Sequence, residues 1–270
     1  MDQKENTLVE NSGMLTHLKT VACLKKNEWS VNISSYYYDN VADLVKEIDI
    51  IAEKQFNSAE FGWHSTAPLN VQLFIECKYI NKEIVFWFDT VNKDKAMEKI
   101  EEETGLQVLD GDRVSADITA NQFHYLQVEK VAKLFSTNSN NEDLVYKAIS
   151  QCLRAQVYYE QFANAPIANE FNDRQETSTA IMRYPVVICD NYKNLKEVEV
   201  DTETSKFTVK DISDPFLLET NYVYFNKTKS ATKDSHFLID FINLDKFEPF
   251  LKVIEIEAAA IVRSMSLLRA

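Results

Sequence analysis

The sequence predicts an α/β protein: a mixed central sheet flanked by helices, with further strands and a helix added toward the C-terminus. Three observations predict it. Runs of two-residue alternation, such as residues 69–80, are interspersed with runs of helical period, such as residues 142–162. A continuous apolar run at residues 184–189 follows the longest helical stretch, the pattern of a buried parallel strand fed by a crossover helix. No shift of composition divides the 270 residues, so residues 1–270 read as one domain, with a core over about residues 7–190 and an elaboration over residues 195–268.

Taken in order, residues 7–27 suit a helix. Leu8, Leu15, Leu18, Val21, Ala22 and Leu24 form a broad apolar stripe, and Lys25 and Lys26 close the last turn. Residues 29–38 read as the first strand, rich in β-branched and aromatic residues, and Asp39-Asn40 turns the chain. Residues 45–52 form the second strand. Alternation puts Ile48, Ile50 and Ala52 on one face, with Glu47, Asp49 and Ile51 on the other. A polar connection over residues 55–68 carries His64, a substrate contact or an ordinary loop histidine.

Residues 69–80 form the third strand. Val71, Leu73, Ile75, Cys77 and Tyr79 share one face, and Phe74, Glu76, Lys78 and Ile80 share the other. The run at residues 84–88 argues that this sheet is mostly covered.

Residues 94–103 suit a charged helix with Lys95 and Lys99 spaced to meet acids. Glu98, Glu101, Glu102 and Glu103 read as its solvated side. Residues 106–118 give no clear period. Residues 121–135 and 142–162 read as helices, the second carrying Arg154 for a phosphate or an acid on the surface. Residues 164–176 read as a loop. Residues 198–200 and 206–209 form a hairpin, and residues 221–225 and 236–244 are two more strands. The link at residues 226–235 is the most basic loop, with Lys227, Lys229 and Lys233. Residues 244–268 close the chain with an amphipathic helix.

Composition narrows the function. The four glycines are too dispersed for a phosphate-cradling loop, which excludes a Walker or dinucleotide fingerprint. Cys23, Cys77, Cys152 and Cys189 form no metal-type cluster and suit reduced thiols in a cytoplasmic protein. The N-terminus lacks a signal pattern, and no apolar run has the length of a membrane span, so no membrane association is expected. The net charge of −13 counts against unaided duplex binding. It implies weak or guided contact with nucleic acid, or a protein partner that supplies basic surface.

One constellation carries chemistry. If the second and third strands pair, Asp49, Glu76 and Lys78 meet on one surface. Glu76 and Lys78 then lie about 7 Å apart along a single strand face. Two carboxylates are the ligands of a hard divalent cation, Mg²⁺ or Mn²⁺, that keeps its waters and takes further ligands from phosphate. An ammonium beside them orients an attacking water or stabilises developing charge. The competing reading makes the same residues a cross-strand pair on a half-solvated sheet.

Glu47-Ile48-Asp49-Ile50-Ile51-Ala52 followed by Phe74-Ile75-Glu76-Cys77-Lys78 resembles the PD-(D/E)xK, or restriction-endonuclease-like, nuclease superfamily. The likeness covers about the first ninety residues closely and the rest by element order. It implies a restriction-endonuclease-like fold and Mg-dependent hydrolysis of DNA, in restriction or phage defence. Asp49 and Glu76 would hold the metal with the Cys77 carbonyl, and Lys78 would act on the water or transition state. The family's first helix supplies a Glu after a Gly-aromatic-Leu-Leu motif. Here Gly13-Met14-Leu15-Thr16-His17 puts His17 in its place, with Glu10 about two turns away; Glu47 is a further candidate. His17 reads equally as a partly buried helix histidine. That departure leaves a second reading, a catalytically inert nuclease-fold protein acting as a binding or regulatory subunit. A third is an unrelated α/β domain. A homodimer would bring two sites to two strands.

Overall fold

The computed structural model describes residues 13–39, 42–57, 68–104, 108–109, 118–119, 122–137, 142–163, 180–201, 203–226 and 230–267. In chain order the elements are α1 (Met14–Lys26), β1 (Ser30–Asp39), β2 (Leu44–Phe56), β3 (Leu69–Lys78), β4 (Ile84–Thr90), α2 (Lys93–Thr104), β5 (Val108–Leu109), β6 (Ile118–Thr119), α3 (His124–Gln127), β7 (Lys130–Thr137), α4 (Glu142–Ala163), β8 (Ala180–Cys189), β9 (Leu195–Asp201), β10 (Lys206–Asp211), β11 (Phe216–Asn226), β12 (Ala231–Asn243) and, after a 3₁₀ turn, α5 (Phe247–Leu267).

Ten strands form one mixed sheet in the order β1-β2-β3-β8-β12-β11-β7-β4-β9-β10. β1, β2 and β3 are antiparallel neighbours, and β8 lies parallel to β3 along its whole length, from Leu69–Ala180 to Lys78–Cys189. Both faces of this centre are covered, as parallel strands require. On one face Val71, Leu73 and Ile75 of β3 and Met182, Tyr184, Val186 and Ile188 of β8 pack with α1, α2 and α5. On the other, α4 packs along β3 and β8, with Cys152 and Leu153 against Val187 and Cys189. The run at residues 84–88 lies at β4, six places along from β2 in the strand order, so it extends the sheet rather than flanking the Glu-x-Lys strand.

The architecture therefore agrees with a mixed sheet flanked by helices. Four expectations are corrected. Residues 121–135 are not one helix: α3 is a single turn, and β7 then inserts between β4 and β11. Val131 and Ala132 are both buried there, one on each sheet face, so a doubly covered strand gave apolar neighbours that mimic a helical stripe. Strict alternation in β2 also fails. Ile48 packs with Ile51, Tyr37 and Phe74, whereas Ile50 and Ala52 face the opposite core. The irregularity lies beside Asp49, across from Ser34, whose φ of 53° breaks the β1 rung. Glu103 is not solvated: its side chain is buried and meets Lys99 at 3.0 Å. Lys233 belongs to β12, not to a loop, and pairs with Glu102 at 3.1 Å. Lys227, Lys229, His64 and residues 164–176 lie outside the described residues.

Candidate active site

The site forms where the β2–β3 ladder ends. Its last regular pair is Ile50–Ile75. At the next position side chains replace backbone partners. The Asp49 N–H donates to Glu76 Oε1 at 3.2 Å, and the Cys77 N–H donates to Asp49 Oδ2 at 2.8 Å. The two strands thus part, and each carboxylate caps an amide that the open ladder would leave without a partner.

Lys78 joins them. Its Nζ lies 2.5 Å from Glu76 Oε2 and 3.9 Å from Asp49 Oδ2. The structure therefore brings Asp49, Glu76 and Lys78 together, as their sequence positions predict. Their exposures differ: the Asp49 side chain is 33% exposed, that of Lys78 17%, and that of Glu76 0%. Burial drives the Glu76 carboxyl up to about 7, although Lys78 pulls it down. Burial opposes the charge on Lys78, yet Glu76 and Asp49 together hold its pKa above the ordinary lysine value. Cys77 points to the opposite core, where its thiol contacts Thr20 Oγ1 at 3.7 Å and burial raises its pKa. Only its backbone is near the carboxylates.

A cleft of about 630 Å³ opens over the site, bordered by Gly13, His17, Asp49, Lys78, Tyr79 and Lys82. Gly13 begins α1 with φ 71°, a left-handed value that glycine adopts freely, and this aims the first turn of the helix at the cleft. His17 Nε2 lies 3.3 Å from the Asp49 carbonyl oxygen. For that oxygen to accept, Nε2 carries a proton. His17 thus contacts the backbone of Asp49, not its carboxylate. Glu47 does not border the cleft; its carbonyl accepts from Gln151 Nε2 on α4 at 3.0 Å. Glu10 lies outside the described residues. Arg154 meets an acid, but a buried one: Asp39 Oδ2 at 2.6 Å.

Among the described residues no group of three or more His, Cys, Asp or Glu side chains gathers to hold a metal. Two carboxylates and a backbone carbonyl match a hydrated Mg²⁺ or Mn²⁺, which does not need an all-protein cage. Asp49 faces the cleft directly, while Glu76 lies behind Lys78 and reaches a shared ion only if Lys78 moves off Oε2.

Tyr79, Asn81 and Lys82 were not visible as site residues in the sequence. They follow β3 where alternation stops, and only Lys82 carries a charge suited to a phosphate. A second polar centre was missed as well. His124 sits half-buried between two carboxylates, with Nδ1 2.5 Å from Glu257 Oε1 and Nε2 3.0 Å from Asp240 Oδ1. Tyr184 donates to Glu257 and Tyr125 to Asp240.

No family model matches the chain, and no curated protein or solved structure matches it. Among the described residues no helix is long and apolar enough to cross a membrane.

Proposed function

We propose that this chain is a metal-dependent endonuclease that hydrolyses DNA phosphodiester bonds, with restriction or phage defence as the setting its PD-(D/E)xK resemblance suggests. One observation carries the reading: Asp49, Glu76 and Lys78 converge where two strands part, beneath an open cleft. Strand pairing alone does not call for two acids and an amine on adjacent strands of a covered sheet.

In this reading Asp49 and Glu76, with the Cys77 carbonyl, hold Mg²⁺ or Mn²⁺. The cation would supply charge neutralisation at the phosphate and a more acidic water. Lys78 stands next to both carboxylates and stabilises negative charge as it develops on the phosphate. Lys82, on the cleft wall, contacts a neighbouring phosphate. The net charge of −13 makes these local cations, or a protein partner or second copy, the source of attraction for DNA.

A specific observation favours a second reading, an inert nuclease-fold subunit that binds or regulates. Glu76 is fully buried and already paired with Lys78, and His17 replaces a potential acidic ligand with a group turned to the Asp49 carbonyl. The deciding experiment is cleavage of supercoiled plasmid with Mg²⁺ or Mn²⁺, for the wild type and for Asp49→Ala and Lys78→Ala. Nicking that needs metal and is lost in both variants supports the endonuclease. No cleavage of duplex or single strands with either metal supports the inert subunit.

A further inference from the structure

We propose that the last four strands of the sheet, β7, β4, β9 and β10, form a homodimer interface, one face of them packing on the same face of a second copy. Strand register sets one residue from each strand on a single rung: Leu134, Trp87, Val198 and Val209 lie side by side. Val200 and Phe207 add a further cross-strand pair on β9 and β10. Ile84, Phe86, Phe135 and Leu195 belong to the core under α4, so alternation puts the rung and this pair on the opposite side of the sheet.

Among the described residues no helix packs along that side of these strands. The helices α1, α2 and α5 lie over β1, β2, β3, β8 and β12 instead. Leu134 is therefore 66% exposed, Phe207 69%, Val209 52% and Val200 48%. The reverse face of β9 and β10 is ionic, with Glu197, Glu199, Lys206 and Lys210, and Lys210 lies 2.9 Å from Glu199. An apolar set alternating with an ionic one is the pattern of strands that have one face covered.

The symmetry of the rung selects the occupant. A two-fold axis along the strands, between β4 and β9, exchanges β4 with β9 and β7 with β10. It sets Trp87 of one copy against Val198 of the other, and Leu134 against Val209, each contact twice. Large side chains then meet small ones. Val198, only 6% exposed, is the low point between Trp87 and Val209. Aligned sheets pack face to face in this manner. The charges stand at the ends of the patch, Asp89 at one end and the Lys196–Asp211 pair, at 2.5 Å, at the other. A chain of net charge −13 can thus meet its copy here on apolar surface. Four strands about 4.8 Å apart and about six residues long give a patch of about 400 Å², half of what a standard interface covers per partner, so the dimer is weak and concentration-dependent. The cleft over Asp49 lies at β2 and β3, toward the other end of the strand order, and the dimer does not depend on what that cleft does.

The test is sedimentation velocity of the full chain from about 1 to about 300 µM, with a micromolar dissociation constant expected. Added NaCl should tighten the dimer, because the contact is apolar and both copies are acidic. Leu134→Lys and Val209→Glu should each weaken it at least tenfold and, at exposed positions, leave Tm at low concentration unchanged. Mixed in equal amounts, the two variants should recover most of the affinity, since the new amine and carboxylate face each other across the axis. Tyr36→Glu, at an exposed position on the opposite edge strand, should change nothing. A monomer at every concentration overturns the proposal. So does association that survives both patch substitutions, that is lost in Tyr36→Glu, or that loosens with salt. A mixture that stays monomeric overturns the two-fold pairing on which the proposal stands.

Discussion

Lys78 holds its ammonium 2.5 Å from Glu76, a carboxylate with no exposure to solvent. The pair is therefore a structural device as well as a candidate chemical one. A buried carboxylate left without its cation either takes up a proton or destabilises the fold.

That dual role separates two variants. Lys78→Ala should lower unfolding free energy by about 3 kcal/mol, the usual range for breaking a buried pair. Adding Glu76→Gln to it should restore most of that loss in urea denaturation. Nuclease activity, if Lys78 acts on the phosphate, is absent in Lys78→Ala even under conditions where that variant is fully folded. Activity in folded Lys78→Ala would remove Lys78 from the chemistry.

Metal binding has a readout that does not need turnover. Mn²⁺ at about a hundred times its dissociation constant should stabilise the protein by about 2.7 kcal/mol. The gain should vanish in Asp49→Asn, whose side chain borders the cleft. Lys78→Ala should bind the metal as tightly or more so, because the ammonium no longer competes for Glu76 Oε2. Isothermal titration checks both. Tighter binding in the wild type than in Lys78→Ala would contradict the competition.

Much of this was legible in the sequence, for a physical reason. β3 lies between two cores, so its even and odd positions carry separate apolar sets, and Glu76 and Lys78 stand out against them. The parallel strand at residues 184–189 was legible because it is covered on both faces. β7 was misread because burial on both sides erases the two-residue period. The bend at Asp49 was invisible because side chains, not backbone, complete the ladder there. The His124 centre was out of reach, since its partners Asp240 and Glu257 lie 116 and 133 residues away.

That centre gives stability a pH dependence. Burial opposes a charged His124, but Glu257 and Asp240 overcome it and push its pKa up to about 10, from an ordinary 6.5. A raised folded pKa means that the folded state keeps a proton the unfolded chain has lost. The stabilisation is complete below about pH 6.5 and disappears as pH rises through about 10. Between pH 7 and about 7.75, below the ordinary thiol pKa of about 8.5, the wild type should lose up to about 1.4 kcal/mol per pH unit from this group. His124→Gln should be less stable at pH 7 and show a much flatter slope. Urea denaturation at about pH 7, 7.4 and 7.75 measures both; equal slopes would show that His124 is not charged in the folded protein.

Asp39 fixes the hairpin that carries Asp49. Its buried carboxylate accepts from Arg154 of α4 at 2.6 Å and pairs with Lys46 at 2.9 Å. The Ala42 N–H adds a 3.1 Å bond to its other oxygen. Arg154 therefore ties β1 and β2 to the helix that lies along β3. Arg154→Ala leaves Lys46 as the remaining cation, so the cost should be about 2–3 kcal/mol, below that of an isolated buried charge. Asp39→Asn with Arg154→Leu should recover part of it. Hydrogen exchange should locate the change: amides of β1 and β2 open faster in Arg154→Ala, while those of β8 and β12 keep their protection. Uniform acceleration across the sheet would mean that Arg154 supports the whole fold rather than the seat of Asp49.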